Sequence, residues 1–162
     1  MRTLFIVPTP IGNLEDITLR ALRVLKEAAL IAAEDTRTSR VLLSHFDIHT
    51  PLTSYHEHNK VDKIDSILAA LETGDVALIS DAGTPGISDP GYELICAAIE
   101  QGYDIVPLPG ANAVITALVA SGLPTDSFIY MGFFPRKASA QTAFLEALQA
   151  ETRPVIVYES PN

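Results

Sequence analysis

A short polar segment carries side chains that could perform acid–base chemistry. Residues 54–59 read Ser-Tyr-His-Glu-His-Asn, and Asp35 belongs to another polar motif earlier in the chain. A histidine or carboxylate within hydrogen-bond reach can take the proton of a hydroxyl nucleophile, so His56, Glu57, His58 and Asp35 are candidate bases. If the segment is extended, His56 and His58 face one side and Glu57 the other. A solvated polar loop is the alternative interpretation.

Two neighbouring side chains suit contacts with a nucleic acid. The guanidinium of Arg37 can hold a phosphate through two hydrogen bonds, and the ring of Tyr55 can stack on an unstacked base. The formal net charge of −9 argues against this interpretation, because surfaces that bind phosphates are usually basic.

The four histidines lie between His45 and His58, which raises the question of a metal site. Glu57 or Asp47 would be further ligands. No H-E-x-x-H pattern and no cysteine pair accompanies the histidines, so we predict that the chain holds no metal.

Three loops rich in proline and glycine follow short apolar runs. They comprise residues 8–13, 80–91 and 107–113. Proline fixes φ and glycine lets backbone approach a ligand closely, so the loops can form rigid walls of amides and carbonyls. Each loop alone is also compatible with an ordinary tight turn.

The elements that must position these loops alternate between strand and helix. This alternation predicts an α/β fold with a mostly parallel sheet covered by helices, and ligands bind such sheets beyond the carboxyl ends of the strands. Asp16 and Asp89 are the expected N-caps of two of the helices. The predicted strands are 4–7, 30–33, 76–79, 105–108, 128–133 and 155–158, and the predicted helices are 17–29, 61–73, 89–101, 111–121 and 140–150.

The pattern also predicts a domain boundary. Residues 1–122 form the first α/β domain, residues 123–126 read as a linker, and residues 127–162 begin a second α/β unit that the sequence leaves truncated. Two strands and one helix cannot bury a sheet on both faces, so this second unit is expected to be incomplete.

Composition narrows the class of protein. Of 162 residues, 48% are hydrophobic and 19% are charged, which supports a packed core. Cys96 is the single cysteine, so no disulfide can form within the chain, and a cytoplasmic location is expected. No apolar run is long enough to span a membrane. The absence of G-x-G-x-x-G after the first strand and of a P-loop lysine signature disfavours NAD-binding and NTP-hydrolysing sites.

Six motifs, in order, resemble those of the ribosomal RNA small subunit methyltransferase I family, within the tetrapyrrole methylase superfamily. The resemblance covers the whole chain. It implies two α/β domains, S-adenosylmethionine as cofactor, commonly a homodimer, and 2'-O-methylation of a cytidine in 16S rRNA of the small ribosomal subunit. The motifs span residues 7–14, 33–37, 54–59, 80–91, 107–111 and 159–161.

The resemblance also implies which residues bind the cofactor. Its motifs carry this role to positions in all three loops, where carbonyls and a carboxylate would complement the cofactor's sulfonium and ammonium charges. Asp81 could instead serve only to cap its own loop. The implied residues are Pro10, Gly12, Asp81, Ala82, Gly83, Thr84, Asn112 and Ala113.

Three hypotheses therefore stay open. The first is an RNA 2'-O-methyltransferase, which the polar segment at residues 54–59 favours. The second is a methylase of a tetrapyrrole or another small substrate, which the acidic charge favours. The third is an inactive binding or dimerisation fragment, because family members continue beyond Asn162.

Overall fold

The structure is a computed structural model that describes residues 2–160. Pro161, the last residue of the sixth motif, lies outside the described residues. The described helices and strands alternate along the chain as the sequence predicts. They are β1 Thr3–Ile6, α1 Leu19–Glu27, β2 Leu30–Ala33, α2 Thr36–His45, β3 Leu52–Ser54, α3 Lys60–Thr73, β4 Val76–Ile79, α4 Tyr92–Glu100, β5 Asp104–Pro107, α5 Ala113–Ala120, β6 Ile129–Phe133, α6 Ala138–Leu148 and β7 Val155–Tyr158.

Five strands form one sheet in the order β3-β2-β4-β1-β5, and every pairing in it is parallel. From β1 the chain moves outward to β2 and β3, and it then returns through β4 to β5. Right-handed crossovers place the helices of these two directions on opposite faces. The helices that follow the neighbouring strands β1 and β4 therefore lie on opposite faces of the sheet. Open α/β sheets bind ligands at such a switch point, in the crevice beyond the carboxyl ends of the strands.

Each face of the sheet has its own hydrophobic core. Val24 and Leu25 of α1 and Leu43 of α2 pack on one face with Ile31 and Ile79. On the other face, helices α3 and α4 pack against alternate residues of the same strands. The central strands β2 and β4 are buried on both sides, which explains why they read as continuous apolar runs. The predicted parallel sheet covered by helices is confirmed.

The predicted caps of α1 and α4 are wrong. Asp16 lies in a separate 3-10 turn, and the cap of α1 is Thr18, whose hydroxyl accepts from the backbone N–H of Ala21 at 3.0 Å. Helix α4 has Gly91 at its N-cap and begins at Tyr92. The carboxylate of Asp89 hydrogen-bonds to Ser80, directly after β4.

Helix α2 and strand β3 are elements that the sequence analysis did not predict. Helix α2 carries several polar residues, and its cap is the side chain of Asp35, which accepts from the N–H of Arg37 at 2.8 Å. Strand β3 has three residues and pairs only with β2. Such a short edge strand carries too few residues for a recognisable alternation.

The chain divides into two compact units, Met1–Asn112 and Ala113–Asn162. Helix α5 groups with the second unit, whereas the sequence analysis assigned it to the domain of residues 1–122. In the second unit β6 and β7 pair in parallel, with α6 between them in the chain. The assignment of 123–126 as a linker stays a prediction. No helix among the described residues has the length and apolar character needed to cross a membrane.

Candidate functional site

The first two predicted loops are joined by backbone hydrogen bonds. The N–H of Thr9 donates to the carbonyl of Gly83 at 2.9 Å, and the N–H of Gly83 donates back to the carbonyl of Thr9 at 3.0 Å. The buried hydroxyl of Thr9 also donates to the carbonyl of Ser80 at 3.0 Å. The loops after β1 and β4 therefore form one rigid unit.

The third loop completes this surface. The hydroxyl of Thr84 donates to the carbonyl of Ala111 at 3.1 Å. Gly110 lies so close to the first loop that a Cβ there would stand 2.7 Å from the Cβ of Pro8. Gly83 has a φ of +89°, which L side chains rarely adopt. The predicted meeting of the three loops is confirmed, while their role in cofactor binding stays a prediction.

A cavity of about 340 Å³ lies between the first two loops and α2, and we call it the α2 cavity. Two of the residues assigned to the cofactor, Pro10 and Asp81, belong to its lining. Its walls are largely apolar. The lining residues are Thr9, Pro10, Leu14, Thr38, Ser39, Val41, Leu42, Ser80 and Asp81.

One hydroxyl in the lining of the α2 cavity is unusual. Ser39 is 3% exposed, and its Oγ has no hydrogen-bond partner among the described residues. A buried polar group left without a partner costs about 1–3 kcal/mol. Most such groups have a partner, so Ser39 marks a place where a ligand could supply one.

A second cavity of about 460 Å³, which we call the polar cavity, lies at the ends of β2, β3 and β4. Two of the candidate bases, Asp35 and His56, line it together with Arg37, the predicted phosphate contact. Asp81 lines both cavities. The full lining of the polar cavity is Glu34, Asp35, Thr36, Arg37, Ser54, His56 and Asp81.

Three carboxyl groups around this crevice have raised pKa values. Burial raises the pKa of Glu34 and of Asp81. Burial and the nearby charge of Glu34 raise the pKa of Asp89 to about 6. Sequence reasoning missed Glu34 as a functional residue and interpreted Asp89 only as a helix cap. Both residues belong to motifs, at residues 33–37 and 80–91, and this position could have identified them as candidates.

Asp35 and Arg37 are paired with each other. The guanidinium of Arg37 donates to both carboxylate oxygens of Asp35, with a shortest contact of 2.6 Å. Hydrogen bonds from this side chain and from the N–H of Arg37 lower the pKa of Asp35 to about 2. A carboxylate with so low a pKa accepts a proton poorly, so Asp35 is better suited to capping α2 and holding Arg37.

Residues 56–59 form a turn, so the alternation of side chains described for an extended segment does not apply to them. The side chain of Asn59 accepts from the N–H of His56 at 2.8 Å, and the N–H of Asn59 donates to the carbonyl of His56 at 3.0 Å. These bonds close a turn that keeps His56 at the polar cavity. Glu57 instead pairs with Lys60 at 2.8 Å. The Nδ1 of His56 is buried and has no partner among the described residues.

Tyr55 is not positioned to stack on a base. Its side chain is fully buried, and its hydroxyl accepts from the N–H of Leu94 at 3.2 Å. The ring therefore belongs to the core between β3 and α4. Within residues 2–160, no three His, Cys, Asp or Glu side chains are grouped so that they could hold a metal ion.

Comparison with known proteins identifies the family to which the chain belongs. The model of the family described as Tetrapyrrole (Corrin/Porphyrin) Methylases matches residues 3–162. The chain belongs to this family. Its tetrapyrrole methylase fold is shared with uroporphyrin-III C-methyltransferase from Thermus thermophilus, solved in complex with S-adenosylhomocysteine. That structure has a TM-score of 0.58 and 22% identity, over 83% of this chain and 60% of the other.

Members of the family with much higher sequence identity carry another name. A ribosomal RNA small subunit methyltransferase I from Halalkalibacterium halodurans is 55% identical over 99% of this chain, and its counterpart from Escherichia coli O157:H7 is 54% identical over 98%. The chain spans 56% of the length of each of these two relatives.

Proposed function

We propose that the full-length protein transfers a methyl group from S-adenosylmethionine to the 2'-hydroxyl of a cytidine ribose in 16S rRNA. The observation that carries the proposal is the polar cavity, where His56, Arg37 and three carboxyl groups lie together beside the glycine- and proline-rich loops. The relatives named above act, by their names, on small-subunit ribosomal RNA. We also propose that the full-length protein is a homodimer and acts in the cytoplasm.

The three loops fit the cofactor. Gly83 and Thr84 are hydrogen-bonded to the first and third loops, so this part of the surface is rigid, as suits a ligand held by backbone groups. Asp81, Asp89 and Glu34 lie close enough to influence each other's pKa values. Such a group of carboxyls favours a cationic ligand, because a nearby positive charge makes their ionisation easier. When bound, S-adenosylmethionine supplies an electrophilic methyl group on its sulfonium.

His56 is the residue we assign as general base. It accepts the proton of the ribose hydroxyl while the oxygen–methyl bond forms and the sulfur–methyl bond breaks. The products are the 2'-O-methyl ribose, S-adenosylhomocysteine and a proton carried by the imidazole. Glu34 lies close enough for the charge of His56 to affect its pKa, so its carboxylate stabilises the imidazolium that forms.

Arg37 is the residue we assign to the RNA backbone. Its side chain is 87% exposed and is already oriented by Asp35. A guanidinium held in this way still has N–H groups that can donate to a phosphate oxygen. Because its side chain is already ordered, RNA binding loses less conformational entropy. This local cation offers a contact for RNA on a chain whose net charge is −9.

Methylation of small subunits by variants of the full-length protein tests these roles. We expect His56→Ala to lower the rate by about 100- to 10,000-fold, while affinity for S-adenosylmethionine stays nearly constant. The control is His49→Ala, because His49 is exposed and pairs only with Asp47 in the described contacts. Arg37→Ala should weaken RNA binding in a salt-dependent manner.

Two outcomes would contradict the assignment. Normal turnover of both the His56 and Arg37 variants would show that the polar cavity is not the reaction site. Methylation of a porphyrinogen but not of small subunits by the wild-type protein would favour the second candidate, a small-substrate methylase.

A further inference from the structure

The α2 cavity combines two kinds of surface. Pro10, Leu14 and Leu42 give it apolar walls, Asp81 gives it a carboxylate, and the hydroxyl of Ser39 is buried within its wall. A nucleobase has the same division, with flat apolar faces and a polar edge. Enzymes that act on a nucleotide hold the unstacked base through both kinds of contact.

The volume of the α2 cavity favours a ligand of this size. At about 340 Å³ it stands near the lower end of the range of about 300–1,000 Å³ for small-molecule pockets. A single nucleobase is much smaller than a tetrapyrrole macrocycle, which carries four pyrrole rings. The cavity therefore suits one base of an RNA chain better than a tetrapyrrole.

Ser39 supplies the observation that points to a polar ligand. It is almost fully buried in the lining of the α2 cavity, and its hydroxyl lacks a partner among the described residues. A serine hydroxyl can both donate and accept, and it rotates to suit its partner. The polar edge of a base would provide that partner once the side chain turns toward it.

Asp81 links the α2 cavity to the reaction site. Its side chain lines both cavities, and its carboxylate accepts from the N–H of Asp35 at 3.1 Å. A nucleotide whose base enters the α2 cavity would have its ribose at this shared rim. The 2'-hydroxyl would then face the polar cavity that contains His56.

We infer that the α2 cavity receives the pyrimidine base of the target nucleotide, unstacked from the ribosomal RNA, with Ser39 at the polar edge of the base. This inference rests on the proposed function and adds to it a residue that contacts the substrate base. It makes α2 the helix that selects the nucleotide.

A pair of tryptophan variants of the full-length protein tests the inference. Val41 lines the cavity and is 70% exposed, so Val41→Trp should block the entrance without disturbing the core. Val61 on α3 is 76% exposed, and Val61→Trp is the matched control. We expect kcat/KM for small subunits to fall about tenfold or more in V41W and to stay near wild type in V61W.

Two further measurements isolate base binding. Pyrrolocytosine at the target position of an rRNA fragment should brighten on unstacking when wild-type protein is added, and much less with V41W. Ser39→Ala should lower kcat/KM by about fivefold, the usual effect of one lost hydrogen bond, and affinity for S-adenosylmethionine should stay constant in all variants.

The outcomes separate the inference from the proposed function. If wild-type protein does not methylate small subunits, the proposed function fails. If wild-type protein is active and V41W matches V61W, the inference is wrong. It is also wrong if V41W loses affinity for S-adenosylmethionine, because the cavity would then belong to the cofactor.

Discussion

At the scale of single residues, the chemistry of a side chain depends on partners that its position in the sequence does not reveal. Asp35 and His56 both belong to polar motifs and were equal candidates for the base. In the structure, Arg37 holds the pKa of Asp35 at about 2, whereas the buried Nδ1 of His56 has no hydrogen-bond partner within residues 2–160. The sequence identifies the motif, but only the tertiary contacts separate the roles within it.

We therefore expect Asp35 to contribute mainly to the stability of the folded protein and not to proton transfer. Replacing it with alanine removes the cap of α2 and the partner of Arg37, so we expect Tm to fall by about 2–4 °C. Asparagine also caps helices well, so Asp35→Asn should remain close to wild type in thermal unfolding followed by circular dichroism. An equal loss in both variants would show that the ion pair matters more than the cap.

Asp89 should make stability depend on pH. Its pKa is raised from 3.8 to about 6, so between these values the folded protein binds more protons than the unfolded chain. Stability from this group is then greatest below about pH 4 and is lost as pH rises through about 6. Asparagine does not ionise, so Asp89→Asn removes this loss of stability above about pH 6.

We expect Asp89→Asn to raise the free energy of unfolding at pH 7.5 by about 1 kcal/mol, a figure reduced for partial solvent screening. The gain should vanish near pH 4. Urea titrations of wild type and variant at both pH values provide the measurement, and an equal difference at the two would contradict the raised pKa.

At the scale of elements, most strands and most helices could be predicted because their apolar patterns reflect the layers that bury them. Strands β2, β4 and β7 have the predicted bounds. The elements and the turn that were not predicted have local explanations. Helix α2 is capped by an aspartate inside a motif that we interpreted as catalytic, and β3 is too short to show alternation. The turn at residues 56–59 depends on the side chain of Asn59, which periodicity cannot predict.

The second loop offers a test of the cofactor wall with a matched control. Gly83 and Gly102 have similar φ values, +89° and +80°, but only Gly83 lies in the wall. Alanine at either position should cost a similar amount of stability, because both backbones occupy a region that L side chains rarely adopt.

Calorimetry on the full-length protein should separate the two alanine variants. We expect Gly83→Ala to weaken S-adenosylmethionine binding by about tenfold and Gly102→Ala to leave it unchanged, since the strain displaces only the loop that carries it. Equal affinities in the two variants would remove the second loop from the cofactor site.

At the scale of the whole molecule, the second unit presents apolar side chains to solvent. Val119 is 73% exposed and Phe133 is 55% exposed. Exposed apolar groups of this kind favour association, so we expect the 162-residue chain to self-associate at micromolar concentration.

Light scattering measures this association directly. Val119→Ser combined with Phe133→Ser should shift the population toward monomer. Leu19 in the first unit is 87% exposed, and Leu19→Ser is the control. This variant should leave the proportion of monomer unchanged. A clean monomer for the unmodified chain would contradict the prediction.

The position of the methyl group on RNA tests the proposed methylation of a cytidine ribose most directly. Full-length protein should be incubated with small ribosomal subunits and isotopically labelled S-adenosylmethionine, and the digested rRNA should be analysed by mass spectrometry. The account predicts one labelled nucleoside, a cytidine with the methyl on its ribose, which also protects the adjacent phosphodiester from alkali. Label on a base, or no label in rRNA while a tetrapyrrole is methylated, would contradict it.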